Sequence, residues 1–460
     1  MPGSVGPTRV QKRDPEPRRP RSHLLLTADA EPEAAAAGAR PPSREWFLPF
    51  LLLLGSAMLT VTALQATRPM VTYRAIDLGA GTFEIGLIQS CFSVLPVFTA
   101  VALGRLVDRI GEARFLVIGM ALFSAGNVIL FFGTTLLSLG AGLLVMGLGQ
   151  IINLVAGQTM IANRGPRERR EHRYGWYSTA VSIGQLAGPA IAAALVTGTA
   201  AMIDAGSGPS VRGEPNLQAP VFAFASILGT GSFLLVLFLP HRRPRPRQGP
   251  VEGEVPGIRA AAVRVLRRPG MSAAMLVSIT VVSALDVLIA YLPAYGEANG
   301  LSVVTVGALL TVRAASSLVS RVFMAWLIER LGRENLLAAS MVMAGGAMAL
   351  LPFLTAEAAL YLLMVLLGLG LGLGQPMTIA WVANRSPRSE RALALGVRVT
   401  GNRAALLVVP ATMGAIAGAS GLAAIWLILA AVLGFGALVA RRTPFDELAA
   451  ERAGGGAASP

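Results

Sequence analysis

The chain has 460 residues, 54% of them hydrophobic and only 14% charged, with a formal net charge of +14. A soluble domain of this length needs far less apolar surface, so the composition excludes one and describes an integral membrane protein. Cys91 is the only cysteine, which rules out an intrachain disulfide and makes packing its expected role.

Residues 1–45 are dominated by Pro, Ala and Arg, as in DPEPRRPRS and ADAEPEAAAAGARPP. Such a segment cannot build a core and is expected to be a disordered cytoplasmic tail. No cleavable signal peptide is visible, because the first long apolar run begins only at Trp46 and outruns signal-peptide length. Stretches of about 20 apolar residues, each able to cross about 30 Å of hydrocarbon, then follow at 46–73, 84–103, 113–133, 135–161, 174–199, 220–239, 272–295, 302–323, 335–355, 358–382, 392–418 and 420–440. Runs such as FLPFLLLLGSAMLTVTAL are apolar on every side, which favours helices over the alternating strands of a barrel. The expected fold is therefore an all-α polytopic membrane protein with twelve transmembrane helices.

The basic residues set the topology. Only Arg74 and Arg212 fall in the loops after odd-numbered spans, while the tails and the loops after even-numbered spans carry most of the rest. By the positive-inside rule both termini are expected in the cytoplasm, with the chain in the plasma (inner) membrane. HRRPRPR (241–247) is a Pro-broken segment explained by topology and anionic lipid, so the net charge does not imply nucleic acid.

Other chemistries lack their residues. Lys12, in the tail, is the sole lysine, which excludes a Walker A phosphate loop and a retinal Schiff base. His23, His172 and His241 all lie outside the spans, which argues against a histidine metal site in the membrane. The short loops offer arginine where a membrane enzyme would gather Asp, Glu and His, so neither catalysis nor a cofactor is expected. GLGLGLGQP (368–376) follows no strand and lies inside a span, so it reads as a tightly packed helix.

One internal offset recurs along the chain. Gly300 stands 221 residues after Gly79, and the same spacing relates Gly86 to Gly307, Asp108 to Glu329, Arg109 to Arg330, Gly111 to Gly332 and Pro189 to Pro410. ANRGPRERR (162–170) aligns with ANRSPRSER (383–391) in that register. The chain is two copies of one unit: residues 46–239 form one six-helix bundle and 271–440 the other, joined by a basic cytoplasmic linker (240–270) and followed by a cytoplasmic tail (441–460). Six spans per unit give the halves the same orientation, related by an axis along the membrane normal, with a site expected near the midplane between them.

These residues resemble the major facilitator superfamily from about residue 46 to 440. Its loop signature, Gly-x-Leu-x-Asp-Arg-x-Gly, is met by Gly104, Leu106, Asp108, Arg109 and Gly111, with a degenerate second copy at Ala325, Leu327, Glu329, Arg330, Gly332 and Arg333. The resemblance implies alternating access, with this motif as a cytoplasmic latch between the halves when the transporter faces outward. Gly104 would let helices approach closely, and Asp108 would face the positive N-terminus of a helix from the other half. Glu112 departs from the basic residue usual in the motif. In span 5, Gly184, Gly188 and Pro189 of GQLAGP resemble the Gly-x-x-x-Gly-Pro motif of exporters working by antiport, although small-x-x-x-small spacing is also ordinary helix packing. Ala192 and Ala193 stand where further glycines are usual, and Leu143 stands where such exporters carry an arginine.

Charge inside hydrocarbon costs at least about 2.5–3.5 kcal/mol on insertion scales, so each buried ionisable group needs a partner or a task. Asp286 is the only acid deep in a span; it precedes Gly300 by 14 residues and Arg313 follows Gly300 by 13. The two would lie at matching depth, which suggests an ion pair and a proton-coupling role, or a permanent structural pair. Arg68 beside Pro69 and Arg398 are near enough to span ends to snorkel outward and inward, whereas Arg403 is midway along span 11. Gln65 (the repeat-mate of Asp286), Gln150, Asn153 and Gln375 are candidate lining residues of a wet cavity, or interhelical glue. The excess of buried arginine favours a solute with a carboxylate or phosphate, or one that pairs with Asp286 only transiently. The implied protein is a secondary active transporter of a small organic solute, by proton-coupled efflux (antiport) or by proton-coupled symport importing an organic anion. Its expected partners are the solute, protons and the lipid bilayer, and it is expected to be a monomer.

Overall fold

A computed structural model describes residues 44–163, 170–204, 210–211, 214–215, 217–240, 263–386, 391–443 and 445. The expected N-terminal tail and most of the linker and C-terminal tail lie outside the described residues. So do the side chains of Gly104, Asp108 and Arg109, although their backbone is helical.

Within hydrocarbon every backbone N–H and C=O must be satisfied inside its own segment, which apolar runs of this length achieve only as helices. The first half supplies α1 (Arg44–Asp77), α2 (Thr82–Ile110), α3 (Glu112–Phe132), α4 (Leu136–Asn163), α5 (Arg170–Asp204) and α6 (Ala219–Leu237). The second supplies α7 (Met271–Ala298), α8 (Val303–Val322), a short α9 (Met324–Leu331), α10 (Arg333–Leu350), α11 (Glu357–Asn384), α12 (Arg391–Ser420) and α13 (Leu422–Arg442). Twelve of these helices are long and apolar enough to cross a membrane, in agreement with the twelve expected spans. A two-residue antiparallel ladder, Ser210–Val211 with Glu214–Pro215, lies between α5 and α6 and leaves the class all-α.

The repeat is visible in the packing. The turn glycines Gly79 and Gly300 have φ of 80° and 70°, and Gly111 and Gly332 have 94° and 76°, a region in which a side chain is strained. Gly147 of α4 lies against the Phe92 carbonyl of α2 so closely that a Cβ has no room. Its repeat-mate Gly368 of α11 lies in the same way against the Arg313 carbonyl of α8, and Phe92 and Arg313 are themselves repeat-mates. Gly149 packs on Gly119 and Phe123, and Gly370 on the corresponding Ser340 and Ala344. Small residues thus set the helix approach, as expected where lipid offers no hydrophobic drive between helices. The glycine run of α11 is a helix packed on three neighbours: Gly368 and Gly372 face α8, Gly370 faces α10 and Gly374 faces α7.

Contacts between the halves obey the same symmetry. Gly86 of α2 meets the Pro410 carbonyl of α12, and Gly307 of α8 meets the Pro189 carbonyl of α5. Tyr291 of α7, fully buried, donates to the carbonyls of Thr82 (3.1 Å) and Pro410 (2.8 Å). Thr82 Oγ1 donates to the Gly414 carbonyl at 3.0 Å. These ties lie toward the helix ends that carry the turns 78–81 and 299–302.

Candidate functional site

The Arg68 side chain leaves α1 just before Pro69 and is buried. Its Nη1 pairs with Asp286 Oδ1 of α7, and Nη2 donates to Oδ2 at 3.3 Å. Gln89 of α2 completes the pair: its Oε1 accepts from Arg68 Nε at 3.2 Å and from Nη2 at 2.9 Å. The Gln89 amide donates to the Arg68 carbonyl (3.1 Å) and to Thr72 Oγ1 (3.0 Å), and Thr72 donates onward to the Ala290 carbonyl of α7 at 2.9 Å. The circuit starts at Asp286 and returns to α7 one turn later, so a buried acid and base are held together across the halves with their remaining hydrogen bonds largely met.

Phe92, one turn from Gln89 on α2, forms the floor of this cluster. The Arg68 guanidinium carbon lies 5.1 Å from its ring centroid and that of Arg403, from α12, lies 5.9 Å away, both within cation–π range. Arg403 is half-buried. It donates to no protein acceptor among the described residues. Two guanidinium groups therefore approach one ring, and one of them is paired with a carboxylate.

The expected partner of Asp286 is corrected here: it is Arg68, not Arg313. Equal depth on α7 and α8 does not fix direction around the helix axis. Arg313 is buried with its Nε unpartnered, on a stretch of α8 backbone packed against Gly368 of α11. Arg68 does not snorkel, because Asp286 and Gln89 hold it inside. Arg398 is likewise buried, with Nη2 donating to Thr378 Oγ1 at 2.9 Å.

The other expected lining residues stand apart. Gln65 is half-buried against Gly188. Gln150 is half-buried with its Oε1 unpartnered, Asn153 is buried beside Gly119, and Gln375 is half-buried. No described hydrogen bond links these four to the cluster. Gly184 and Gly188 seat α5 on α1 at Met58, Thr62 and Ala66, so the α5 motif forms a close helix crossing, while Pro189 presents its carbonyl to Gly307. In the second loop motif Glu329, Arg330 and Arg333 are exposed around Gly332, and Arg330 lies 4.9 Å over Trp326 of its own helix.

Sequence reasoning missed Gln89, Thr72 and Phe92; a glutamine in an otherwise apolar stretch of span 2 was the available signal. It also missed Arg321 of α8, whose Nε donates to the Gly372 carbonyl (3.1 Å) and whose Nη1 donates to Ser182 Oγ of α5 (3.2 Å), a further tie between the halves.

The sequence profile of the Major Facilitator Superfamily matches residues 53–307 and 286–459. Multidrug resistance protein 1 of Bacillus subtilis (strain 168) is 22% identical over 175 residues, 38% of this chain and 41% of that protein. The riboflavin transporter RibZ of Clostridioides difficile (strain 630) is 20% identical over 150 residues, 32% of each. The matched stretch thus spans well under half the length of these relatives. Among solved structures, a bacterial homologue of the human lysosomal transporter Spinster, inward-facing and unoccupied, aligns with a TM-score of 0.69 at 15% identity, covering 87% of this chain and 97% of that one. The nucleoside transporter NupG aligns with a TM-score of 0.68 at 15% identity, covering 86% and 100%. At these identities the likeness is one of fold.

Proposed function

Because the chain belongs to the Major Facilitator Superfamily, we propose that it is a secondary active transporter moving a small organic solute by alternating access, with Asp286 coupling that movement to protons. Family and fold indicate a transporter, not an enzyme. The observation that carries the coupling role is the Arg68–Asp286 pair itself, which ties α1 to α7 across the halves. Protonation of Asp286 would cancel one member of the pair and loosen the tie exactly where the halves must part. Asp286 is paired with Arg68 from α1, and Arg68 in turn meets the neutral Gln89 and Phe92 of α2, the ring that Arg403 of α12 also approaches.

Efflux by antiport is the direction supported by the distant multidrug resistance relatives and by the Gly184, Gly188 and Pro189 resemblance. Uptake of an organic anion by proton symport is the second reading, favoured by Arg403, a cation without an acceptor among the described residues that shares the Phe92 ring with the paired Arg68. The proposal places both termini and the linker at the cytoplasmic face of the inner membrane and takes the monomer as the working unit.

Vesicles of both orientations carrying the protein, given an imposed pH gradient, should accumulate a solute uphill and lose it on adding a protonophore. Asp286→Asn should insert normally and equilibrate the solute without concentrating it. Uphill transport by that variant would remove Asp286 from the coupling role.

A further inference from the structure

Arg68 and Arg403 approach the same phenyl ring, yet their surroundings differ. Arg68 is taken up by Asp286 and Gln89, whereas Arg403 has a ring and no acceptor among the described residues. The ring's negative face answers only part of a guanidinium charge. One positive charge is thus unmatched between the halves, with Arg68 and Phe92 supplied by the first half and Asp286 and Arg403 by the second.

We infer that the solute of this site is a singly charged organic anion: its carboxylate is held by Arg403 and draws Arg68 away from Asp286, and its apolar body lies along Phe92. The inference rests on reading this cluster as the transport site and deepens the anion alternative above. A guanidinium presents a planar fork that fits a carboxylate in two parallel hydrogen bonds, so either arginine can exchange one carboxylate for another without changing geometry. A cationic solute would meet two like charges and could gain only Asp286, already engaged. A neutral one would leave the Arg403 charge unmatched. Binding of the anion therefore competes with the Arg68–Asp286 tie, and occupancy is linked to loosening of a contact between the halves.

The full-length protein in detergent should be melted with benzoate and larger arylcarboxylates, against benzamide and benzylammonium as neutral and cationic counterparts. The carboxylates should raise the melting temperature and the counterparts should not. Arg403→Gln should weaken benzoate at least about tenfold, as expected for loss of a charge-assisted hydrogen bond, and Arg403→Lys should restore part of it. Asp286→Asn, which removes the competing charge, should bind benzoate more tightly than the parent. Stabilisation by benzylammonium in preference to benzoate, an unchanged response in Arg403→Gln, weaker binding by Asp286→Asn, or no response to any carboxylate would each overturn the inference. The transport reading fails separately: an amine concentrated on a pH gradient with no carboxylate bound leaves transport standing and removes the anion seat. Carboxylates bound in this pattern with no solute moved uphill do the reverse.

Discussion

Arg68 and Asp286 are each nine-tenths or more buried, and a buried pair of this kind is asymmetric in its energetics. Taking away one partner leaves the other charge without compensation and destabilises by about 3–5 kcal/mol, whereas replacing both with apolar residues of similar volume is often near neutral. Arg68→Met should accordingly lower the melting temperature of the full-length protein sharply. Arg68→Met with Asp286→Val, an apolar pair closer in volume to the native one, should recover most of that loss and still abolish uphill transport. If the double variant melts as low as the single one, uncompensated charge is not the cause of the damage. At this scale Asp286 was legible from sequence because an acid in hydrocarbon is conspicuous by its expense. Its partner was not, because matching depth on two helices says nothing of direction around their axes, and Arg68 stood near enough to a span end to be assigned to the membrane surface instead. Gln89 escaped notice for a related reason: a neutral amide is cheap enough in a span to be overlooked, although it carries four bonds of the circuit.

Helix crossings are set by glycines whose missing Cβ atoms let one backbone rest on another. Gly147→Ala would push a methyl group into the Phe92 carbonyl, and Gly368→Ala into the Arg313 carbonyl, contacts made by backbone that cannot rotate away. Each should destabilise by about 1–3 kcal/mol, the usual range for overpacking a tight interface. Gly346→Ala and Gly434→Ala, with nothing within 4 Å of the added methyl, should be neutral or raise stability by up to about 1 kcal/mol through helix propensity. Thermal melting of the four variants checks both halves of this expectation, and equal loss in all four would mean that the close crossings do not govern stability. The spans themselves were readable from hydropathy, since length and apolarity are one-dimensional properties. The interruption at Phe323 that separates α8 from α9 carries no comparable mark, and neither does the continuation of α2 past its apolar stretch to Ile110.

Duplication is the feature of the whole molecule that sequence carried furthest: the 221-residue register found in loops and turns reappears as paired three-dimensional contacts, Gly86 on Pro410 and Gly307 on Pro189. What the register could not supply is which end of the barrel of helices is shut. Thr82, Gly86, Pro410, Gly414 and Tyr291 join the halves toward the turns 78–81 and 299–302, and an alternating mechanism requires these contacts to open in every cycle. Thr82 and Gly418 suit a reversible lock, because a Cβ at Gly418 would lie 3.4 Å from Thr82 Oγ1, whereas one at Gly414 would run into the Thr82 carbonyl and force the helices apart. In a Cys91→Ala background, Thr82→Cys with Gly418→Cys should form a disulfide on oxidation, stop solute movement and regain it on reduction, while either single cysteine variant remains unaffected by oxidant. Complete cross-linking with undiminished transport would mean that this end stays closed throughout the cycle, and the solute would then need a path that does not pass between Thr82 and Gly418.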